Sequence, residues 1–505
     1  MVSKVRSMGL LGVSGYEVSV ECFLSGGLPA FDVVGLPDAA VREARERVRA
    51  AAKTGGFQFP MRRITVNLAP ADTRKEGALY DLPILLGLLN AHGDIPAPPT
   101  DSVFLGELSL EGVLRPVYGA LPMTLGAARL GVKRIYLPKG NAKEASLADG
   151  IEIYPASHYR EILDHLSGKA KLQPATPWQP PTAGAGMAPD FSEVRGQESV
   201  KRALEIAAAG GHNILMSGPP GAGKSMLARR IPGILPAMTR EEMLQCIEIH
   251  SVACLLGDNR LPFFTRPFRA PHHTISPVGL SGGGAMPRPG EISLAHNGVL
   301  FLDELPEYDR TALEALRQPM EDGAVTIARV AGTLTYPAMF MLVCAMNPCR
   351  CGWYGHPSRH CRCDARSLAS YRSRVSGPLL DRIDIQVDIP SVDFESLSGK
   401  YPAEPSSAVQ ARVEAARDRQ RRRFGDNTLC NARLSPAQMD ACCELDARAK
   451  RLLKEAFERL ELTARAYGRV LRVARSIADL EGAEHIEAAH IAEAVQYRSL
   501  DRKIP

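Results

Sequence analysis

The spacing of apolar positions divides this chain into three parts. In residues 1–170, runs typical of strands alternate with runs typical of helices. The strand-like runs are 18–23, 63–68 and 134–137, and the helix-like runs are 38–53 and 82–90. We therefore expect 1–170 to form a mixed α/β domain.

The second and third parts follow a proline-rich segment. Residues 171–190 hold five prolines and no periodic apolar pattern, which predicts a semi-rigid linker. From 191 to 390, apolar strands alternate with helices, as in a parallel α/β sheet. From 391 to 505 the pattern predicts a helical domain, with helices at 408–424, 447–460 and 463–481.

Composition indicates where the protein is found, but it does not identify its partner. A chain of 505 residues is too long for one core, and its net charge of +5 neither requires nor excludes a nucleic acid. No apolar run reaches the length of about 18 residues that a membrane helix needs, so we expect no membrane partner. Eleven cysteines, an odd number, favour reduced thiols in the cytoplasm over a disulfide framework.

A glycine-rich loop follows the first predicted strand of the middle part, 213–216. Its residues are Gly218, Pro219, Pro220, Gly221, Ala222, Gly223, Lys224 and Ser225. Glycines let backbone N–H groups surround phosphate oxygens, Lys224 places a cation on the β- and γ-phosphates, and Ser225 supplies an oxygen to Mg²⁺. The segment predicts a P-loop that binds ATP with Mg²⁺.

Two further strands end in polar residues. The sequence VLFLDE predicts a buried strand ending in Asp303, a ligand of Mg²⁺, and Glu304, which orients and deprotonates the attacking water. Without a P-loop the same pattern would indicate only solvated acids after a strand. Residues 340–345 predict another strand that leads to Asn347, which is either a sensor of the γ-phosphate or an asparagine opening a turn before Pro348.

Two C-x-C pairs follow Asn347 within 349–363. They are Cys349 with Cys351, and Cys361 with Cys363. Four thiolates brought together by a short loop suit a structural Zn²⁺, with His356 or His360 as possible substitutes for one of them. The alternative is four free thiols.

Basic residues in two loops suit contacts with DNA phosphates. The first loop, 260–288, places Arg266, Arg269, His272, His273 and Arg288 among prolines and glycines, with Phe264 and Phe268 available for base stacking. The second, 323–337, reads as a hairpin with Arg329 near its tip. Either loop could instead contact neighbouring subunits. The basic run 417–423 is more often a solvated helix face.

The segments LAHNGVLFLDE, AMNPC, SGPLLDRIDI and RPFRAPHHTIS resemble the magnesium-chelatase-like branch of the AAA+ ATPases, and within it the YifB/ComM family. The resemblance covers nearly the whole chain. It implies an AAA+ core with a helical lid, assembled as a homo-oligomeric ring, usually a hexamer, and linked to DNA uptake and recombination. It also implies that the loop at 260–288 faces the pore of the ring.

The same resemblance assigns roles to arginines of the C-terminal half. Arg382 would be the arginine finger that reaches the neighbour's γ-phosphate. The alternative is a surface arginine paired with Asp381 or Asp384. Arg465 matches the second sensor, with Arg469 and Arg472 as rivals on the same helix.

Residues 1–170 resemble the proteolytic domain of Lon, in ITVNLAPADTRKEGALYDLPILLG and the segment after it. Where that fold carries its nucleophilic serine, this chain has Ala78-Leu79-Tyr80-Asp81, and where it carries the paired lysine, Gly119-Ala120-Leu121-Pro122. Without a nucleophile beside a base there is no acyl-enzyme chemistry. The domain is expected to be an inactive scaffold or a unit that binds DNA or a partner.

Together these features favour an ATP-driven motor on DNA, a helicase or branch-migration factor in recombination during natural transformation. One alternative is a chelatase-type motor that helps a partner insert Mg²⁺ into a porphyrin. Another is a protein-remodelling ATPase, which differs from the first only in what fills the pore.

Overall fold

A computed structural model describes residues 2–178, 189–255, 265–284, 287–329, 332–391, 403–426, 429–460 and 463–498. Half of the predicted linker 171–190, residues 179–188, therefore lies outside the described residues. The chain divides into two compact units. The first comprises 1–183 with 247–262, and the second comprises 184–246 with 263–505.

The first unit is built on a four-stranded sheet of order β1-β2-β4-β3, in which β3 runs parallel to β4 and the other pairs are antiparallel. Its strands are β1 (Val2–Leu11), β2 (Ser14–Ser25), β3 (Ala30–Val34) and β4 (Arg63–Ala69). Val18, Val20, Cys22 and Leu24 alternate into the core along β2, as the period of two requires. This confirms the strand predicted at 18–23.

A three-stranded parallel sheet of order β5-β8-β9 and a short antiparallel pair, β6-β7, complete the strands of this unit. They are β5 (Ser102–Phe104), β6 (Glu107–Leu108), β7 (Leu114–Arg115), β8 (Arg134–Pro138) and β9 (Glu152–Ala156). The helices are α1 (Ala39–Thr54), α2 (Asp81–His92), α3 (Ala120–Arg129), α4 (Ala142–Ala145) and α5 (Tyr159–Leu166). The α1 helix begins where the Asp38 carboxylate accepts from the N–H of Val41 (2.8 Å).

Residues 247–262 lie in the first unit, although the sequence pattern placed them within the ATPase core. The described part of this segment contacts Glu144 of the first unit. The Ser251 hydroxyl donates to the buried carboxylate of Glu144, which also accepts from the N–H of Leu121 (2.8 Å). A buried carboxylate without such donors is costly, so this pairing holds 247–255 in the first unit.

The second unit contains a five-stranded parallel sheet of order β11-β14-β17-β10-β18. Its strands are β10 (Ile214–Ser217), β11 (Phe268–Arg269), β14 (Val299–Leu302), β17 (Met341–Met346) and β18 (Ile385–Asp388). The three central strands, β14, β17 and β10, are buried along their whole length, as in sheets covered by helices on both faces. This confirms the predicted strands at 213–216, 299–302 and 340–345.

Shorter elements connect these strands. Before β14 lie α6 (Glu198–Gly210), α7 (Lys224–Ala228), α8 (Arg240–Val252), α9 (Pro277–Ser281), β12 (Gly282–Gly283), β13 (Arg288–Pro289) and α10 (Glu291–Leu294). Residues 247–252 of α8 belong to the first unit. After it lie α11 (Arg310–Glu314), α12 (Arg317–Asp322), β15 (Ala324–Arg329), β16 (Gly332–Pro337), α13 (Ala365–Arg372) and α14 (Gly377–Leu380). The antiparallel pair β15-β16 confirms the hairpin predicted at 323–337.

The C-terminal part is helical, as predicted, and packs into the same core as the parallel sheet. Its helices are α15 (Ser406–Phe424), α16 (Pro436–Cys442), α17 (Ala447–Arg459), α18 (Ala464–Glu481) and α19 (Ala488–Gln496). Buried Asp479 of α18 pairs with Arg475 (3.1 Å) and with Arg423 of α15, which joins the two helices. Within the described ranges, no helix is both long and apolar enough to cross a bilayer.

Candidate active site

The loop 218–225 joins β10 to α7 and carries the predicted lysine. The ammonium of Lys224 donates to the carbonyls of Gly218 (2.6 Å) and Pro219 (2.9 Å) and to Oδ1 of Asn347 (3.0 Å). Burial lowers the pKa of Lys224, and the nearby carboxylates of Asp303 and Glu304 oppose that shift. The loop therefore presents a partly desolvated cation at the carboxyl end of a central strand.

The backbone of this loop leaves room for phosphate. Gly221 has φ +80°, a left-handed conformation that side chains rarely adopt, and no protein atom lies within 4 Å of the position a Cβ would take. Open space beside a glycine-rich backbone, next to a lysine cation, matches what ATP phosphates need. The residues present thus fit the nucleotide that the sequence predicts.

The two residues predicted to bind Mg²⁺, Ser225 and Asp303, are in contact. The Ser225 hydroxyl donates to Oδ2 of Asp303 over 2.5 Å, so two oxygens from different elements already meet. Mg²⁺ in phosphate sites takes one or two protein oxygens together with phosphate and water. The pair fits that ion.

Glu304 follows Asp303 in a left-handed backbone conformation, with φ +51°. Such a conformation costs a non-glycine residue about 1 kcal/mol and is found most often at functional sites. Its side chain is 57% exposed, and its Oε2 lies 3.3 Å from Nδ1 of His273. A free carboxylate in this position can accept a proton from water.

His273 is the functional neighbour that the sequence did not reveal. The sequence pattern assigned it to a DNA-contacting loop, whereas the structure places it beside Glu304 and against the rings of His272 (4.1 Å between centroids) and Tyr308 (6.4 Å). The signal that could have found it is its position four residues after β11, the strand next to β14. Adjacent parallel strands bring their carboxyl ends together.

All these groups lie at one edge of the sheet. The P-loop follows β10, Asp303 follows β14 and Asn347 follows β17, and all three strands are parallel. We call this the carboxyl edge. Asn347 is therefore placed where a sensor of the γ-phosphate would be, and its contact with Lys224 goes beyond a simple turn before Pro348.

The predicted arginine finger lies at the opposite edge. Asn213 precedes β10, donates to the carbonyl of Arg382 (3.1 Å) and accepts from the N–H of Asp384 (3.0 Å). Around these residues lies a cavity of about 640 Å³. Its charged lining residues are Glu321, Asp381, Arg382, Asp384, Arg433, Arg465, Arg469 and Arg472, and we call it the arginine cavity at the amino edge.

Arg382 is held in place within its own chain. Its guanidinium donates to the carbonyl of Pro378 (2.7 Å) and pairs with Glu321, and its side chain is 15% exposed. The alternative partners considered from sequence, Asp381 and Asp384, do not form ion pairs with it among the described residues. Its position at the amino edge separates it from the P-loop of its own chain.

The three arginines considered for the second sensor share the same cavity. Arg465 is 69% exposed and lies 3.6 Å from Asp381, whereas Arg469 is 6% exposed and lies 3.7 Å from it. Arg472 donates to the carbonyl of Leu434 (2.6 Å). All three therefore lie with Arg382 at the amino edge.

The four cysteines of the two C-x-C pairs converge. Their sulfur atoms all lie within 4.8 Å of one another, with 3.4 Å between Cys349 and Cys351 and 3.6 Å from each of these to Cys361. Backbone amides of Arg362 and Trp353 lower the pKa of Cys351 to about 6, which favours a thiolate. Nδ1 of His356 accepts from the amides of Ser358 and Arg359, so the histidine is engaged elsewhere. The donor set fits a tetrahedral Zn²⁺.

The arginines of the loop 260–288 have partners inside the chain. Arg266 is 12% exposed and forms two hydrogen bonds of 3.0 Å to Glu242, and Arg269 forms two of 2.6 Å to Glu291. Bidentate pairs of this kind neutralise the cation and fix its geometry. Arg266 and Arg269 thus each have a carboxylate partner within the chain, and their contact with DNA phosphates stays a prediction.

The remaining members of the basic loops differ in exposure. His272 is exposed, with Nδ1 2.9 Å from the hydroxyl of Thr274, and Arg288 is exposed on β13. Arg329 ends β15, and its side chain lies outside the described residues, as do Arg260 and Phe264. In the run 417–423, Arg417 donates to the carbonyl of Ala208 (3.2 Å) and Arg423 pairs with Asp479, so the run is partly structural.

In the first unit, the segment that resembles Lon has no serine where Lon carries its nucleophile, but it does contain a buried carboxylate. Ala78 begins a single 3₁₀ turn, and the buried carboxylate of Asp81 accepts from Arg47 (2.6 and 3.0 Å) and from the N–H of Leu108 (3.1 Å). Burial raises the pKa of Asp81 to about 6, opposed by Arg47. Asp81 therefore joins α2 to α1.

Comparisons with known proteins agree with these features. Family models described as "Magnesium chelatase, subunit ChlI", "Subunit ChlI of Mg-chelatase" and "Magnesium chelatase, subunit ChlI C-terminal" match residues 190–397, 20–141 and 403–498. A Lon protease from Brucella suis biovar 1 is 28% identical over 176 residues, which is 32% of this chain and 22% of that protein. The Lon-like character of the first unit stays a prediction.

Full-length relatives are more similar. The uncharacterized protein YifB of Escherichia coli (strain K12) is 44% identical over 503 residues, covering 99% of this chain and 98% of that protein. The competence protein ComM of Haemophilus influenzae is 43% identical over 506 residues, covering 99% and 97%. With the P-loop, the two acidic residues after β14 and the parallel sheet in place, the chain belongs to the YifB/ComM family of magnesium-chelatase-like AAA+ ATPases.

Proposed function

We propose that this protein is an ATP-hydrolysing motor that works on DNA as a ring of identical copies. The observation that carries the proposal is the separation of two half-sites. Lys224, Ser225, Asp303 and Asn347 meet at the carboxyl edge of the sheet, whereas Arg382 lies in the arginine cavity at the amino edge. A head-to-tail arrangement of copies joins one edge to the other, and such arrangements close into rings. A hexamer is the ring that the family resemblance implies.

The residues of the carboxyl edge divide the chemistry of hydrolysis. Bound ATP with Mg²⁺ supplies the phosphoanhydride that breaks, and Ser225 and Asp303 would hold the metal. Lys224 neutralises phosphate charge, and Asn347 orients the γ-phosphate. Glu304 takes a proton from the water whose oxygen bonds to the γ-phosphorus as the bond to the β–γ bridging oxygen breaks. Arg382 of a neighbouring copy neutralises the charge that develops.

DNA as the partner rests on resemblance and on the name of a relative. The protein from H. influenzae is called a competence protein, and the family resemblance links such proteins to DNA uptake and recombination. We therefore propose a helicase or branch-migration activity in recombination during natural transformation. All eleven cysteines are free, which suits the reducing cytoplasm, where such DNA is processed.

The test compares ATP hydrolysis by the full-length protein alone and with single-stranded, duplex and four-way-junction DNA. We expect at least one of these to stimulate hydrolysis and to be bound in the presence of ATP. Hydrolysis that no DNA stimulates, together with no DNA binding by the assembled protein, would contradict the DNA function. That result would instead favour a protein-remodelling ATPase.

A chelatase-type motor is the second candidate, because three family models described by the magnesium-chelatase subunit match most of the chain. It would use the same ATP site to drive a partner that inserts Mg²⁺ into a porphyrin. Stimulation of hydrolysis by porphyrin-binding partner subunits, and not by DNA, would favour it.

We also propose that the Cys349, Cys351, Cys361 and Cys363 cluster holds one structural Zn²⁺. Four thiolates leave no open position for water, so the metal would staple the loop and take no part in hydrolysis. Metal analysis of protein purified without chelator should find about one zinc per chain. Cys351→Ser combined with Cys361→Ser should lose it, whereas Cys254→Ser, outside the cluster, should keep it. Wild-type protein without zinc and with four titratable thiols at 349–363 would overturn the site.

A further inference from the structure

The segment around the cysteine cluster, residues 349–374, has an unusual charge. It contains six arginines and one acidic residue, Asp364. Asp364 is the N-cap of α13, where its carboxylate accepts from the N–H of Ser367 (2.9 Å). The formal charge of this short segment equals that of the entire chain, +5. It stays positive even after the negative charge of a zinc tetrathiolate is subtracted. We call this segment the Cys module.

The fold of the Cys module directs arginines outward. In each C-x-C pair both sulfur atoms point to the common centre, so the side chain between them has to point away. That middle residue is Arg350 in one pair and Arg362 in the other, and both are exposed. Arg359 and Arg366 are exposed as well. The cluster thus holds the backbone of a small, strongly basic surface.

These four arginines differ from those of the loop 260–288. The ion pair that the described residues show for the module is Arg374 with Glu307 (2.8 Å). Arg350, Arg359, Arg362 and Arg366 form no ion pair with another described residue, whereas Arg266 and Arg269 are each neutralised by a glutamate. Like charges without carboxylate partners repel one another, and an external anion bound to this surface would relieve that repulsion.

Aromatic rings accompany the arginines. The guanidinium of Arg359 lies 4.1 Å from the ring centroid of Trp353, and Arg372 lies 5.1 Å from that of Tyr354, which is 38% exposed. Guanidinium groups donate to phosphate in a forked geometry that lysine cannot provide, and the exposed ring of Tyr354 offers a surface on which a base can stack. This combination suits a nucleic acid better than an acidic peptide, which offers no bases to stack.

We infer that the Cys module is a docking surface for the phosphate backbone of DNA, an inference that rests on the proposed DNA function. The module also touches the ATP site. Gly352 has φ +83°, and a Cβ there would lie 2.5 Å from Cδ of Pro220 in the P-loop. The cluster begins two residues after Asn347, which contacts Lys224. DNA on this surface therefore lies one packing contact away from the loop that holds phosphate.

The test measures binding of fluorescein-labelled duplex and single-stranded oligonucleotides to full-length protein with ATP, as a function of salt. The variant is Arg359→Ala combined with Arg366→Ala, neither of which lies within a C-x-C pair. Loss of two phosphate contacts should reduce the slope of log K against log salt by about 1.8 on duplex and about 1.4 on single strands. Affinity at 100 mM salt should fall by at least about tenfold. Hydrolysis without DNA, zinc content and thermal stability should stay unchanged.

The matched control is Arg448→Ala combined with Arg451→Ala, two exposed arginines of α17. This control should bind DNA as the wild type does. If the two double variants bind DNA with equal affinity and slope, the module is not the DNA surface, although the proposed function stands. If the module variant instead loses assembly into oligomers, the surface is a subunit contact and the inference is wrong. If wild-type protein binds no DNA, the proposed function fails and the inference fails with it.

Discussion

The two edges of the five-stranded sheet carry different groups, and the proposed mechanism needs both. At the carboxyl edge, Lys224, Ser225, Asp303 and Asn347 already touch through hydrogen bonds of 2.5 to 3.0 Å. At the amino edge, Arg382 is held by Glu321 and faces the arginine cavity. The first edge is organised within a single chain, whereas the second has arginines but no phosphate-binding loop.

The difference between the edges indicates which steps need one copy of the chain and which need two. Nucleotide binding depends on loops that one chain positions through its own backbone. In the proposed mechanism, neutralisation of the transition-state charge depends on an arginine that its own chain keeps at the far end of the strands. Substitutions at the carboxyl edge should therefore separate binding from the chemical step. Substitution of Arg382 at the amino edge should slow the chemical step without weakening nucleotide binding.

The largest effect should come from Arg382→Ala. An arginine finger contributes about 10³- to 10⁵-fold to hydrolysis, so the rate should fall by that order while nucleotide affinity stays near wild type. Rates of phosphate release and binding of a fluorescent ATP analogue measure the two quantities. Arg310→Ala, an exposed arginine at the start of α11, is the matched control and should hydrolyse normally. A parallel loss of nucleotide affinity would place Arg382 at the site of its own chain.

Glu304→Gln should have the next largest effect on the rate of hydrolysis. A general base contributes about 10²- to 10⁴-fold, and glutamine keeps the size of the side chain without its basicity. ATP should still bind, because Lys224 and Ser225 are intact. Glu307→Gln, three residues on and paired with Arg374, tests whether removal of any nearby carboxylate suffices. Hydrolysis by Glu304→Gln near the wild-type rate would remove the assignment.

Lys224→Ala should act on binding. Hydrogen bonds from a charged group contribute about 1.5 to 3 kcal/mol each, so ATP affinity should fall by roughly 10- to 100-fold. Titration of a fluorescent ATP analogue measures this affinity. At saturating ATP, where the variant does bind nucleotide, hydrolysis should still be slower than in the wild type. Unchanged affinity would show that the ammonium does not reach phosphate.

The smallest expected effects distinguish Arg465 from Arg469. Arg465 is 69% exposed, so Arg465→Ala should change thermal stability little, since exposed pairs contribute about 0 to 1 kcal/mol. Arg469 is 6% exposed, and its removal leaves Asp381 with one partner fewer, so stability should fall by about 1 to 3 kcal/mol. If Arg465→Ala slows hydrolysis at unchanged stability, it is the second sensor. If only Arg469→Ala does so, the assignment moves to Arg469.

Much of this site could be read from the sequence because its signals are local. The P-loop glycines, the strand before Asp303 and the strand before Asn347 each occupy a few consecutive residues. A parallel sheet then brings their ends together without further information. The predicted helices from 408 onward were found for the same reason, since an apolar stripe of period three and four is a local signal.

The features that the sequence did not predict depend on contacts between residues far apart in the chain. The neutralisation of Arg266 by Glu242 and of Arg269 by Glu291 joins residues 24 and 22 positions apart, which no local pattern reveals. The contact between His273 and Glu304 depends on β11 lying beside β14. Exposure of the arginines in the Cys module likewise became visible only when the four sulfur atoms were brought together.

The most direct test of the two-edge account mixes inactive variants. Arg382→Ala copies retain Glu304, and Glu304→Gln copies retain Arg382. In a ring of head-to-tail contacts, equal mixing creates an intact interface at about one contact in four. Hydrolysis should therefore recover to as much as about a quarter of the wild-type rate at equal ratio, and fall toward either pure variant. No recovery at any ratio, although mixed oligomers form, would contradict the claim that the two edges act together across neighbouring copies.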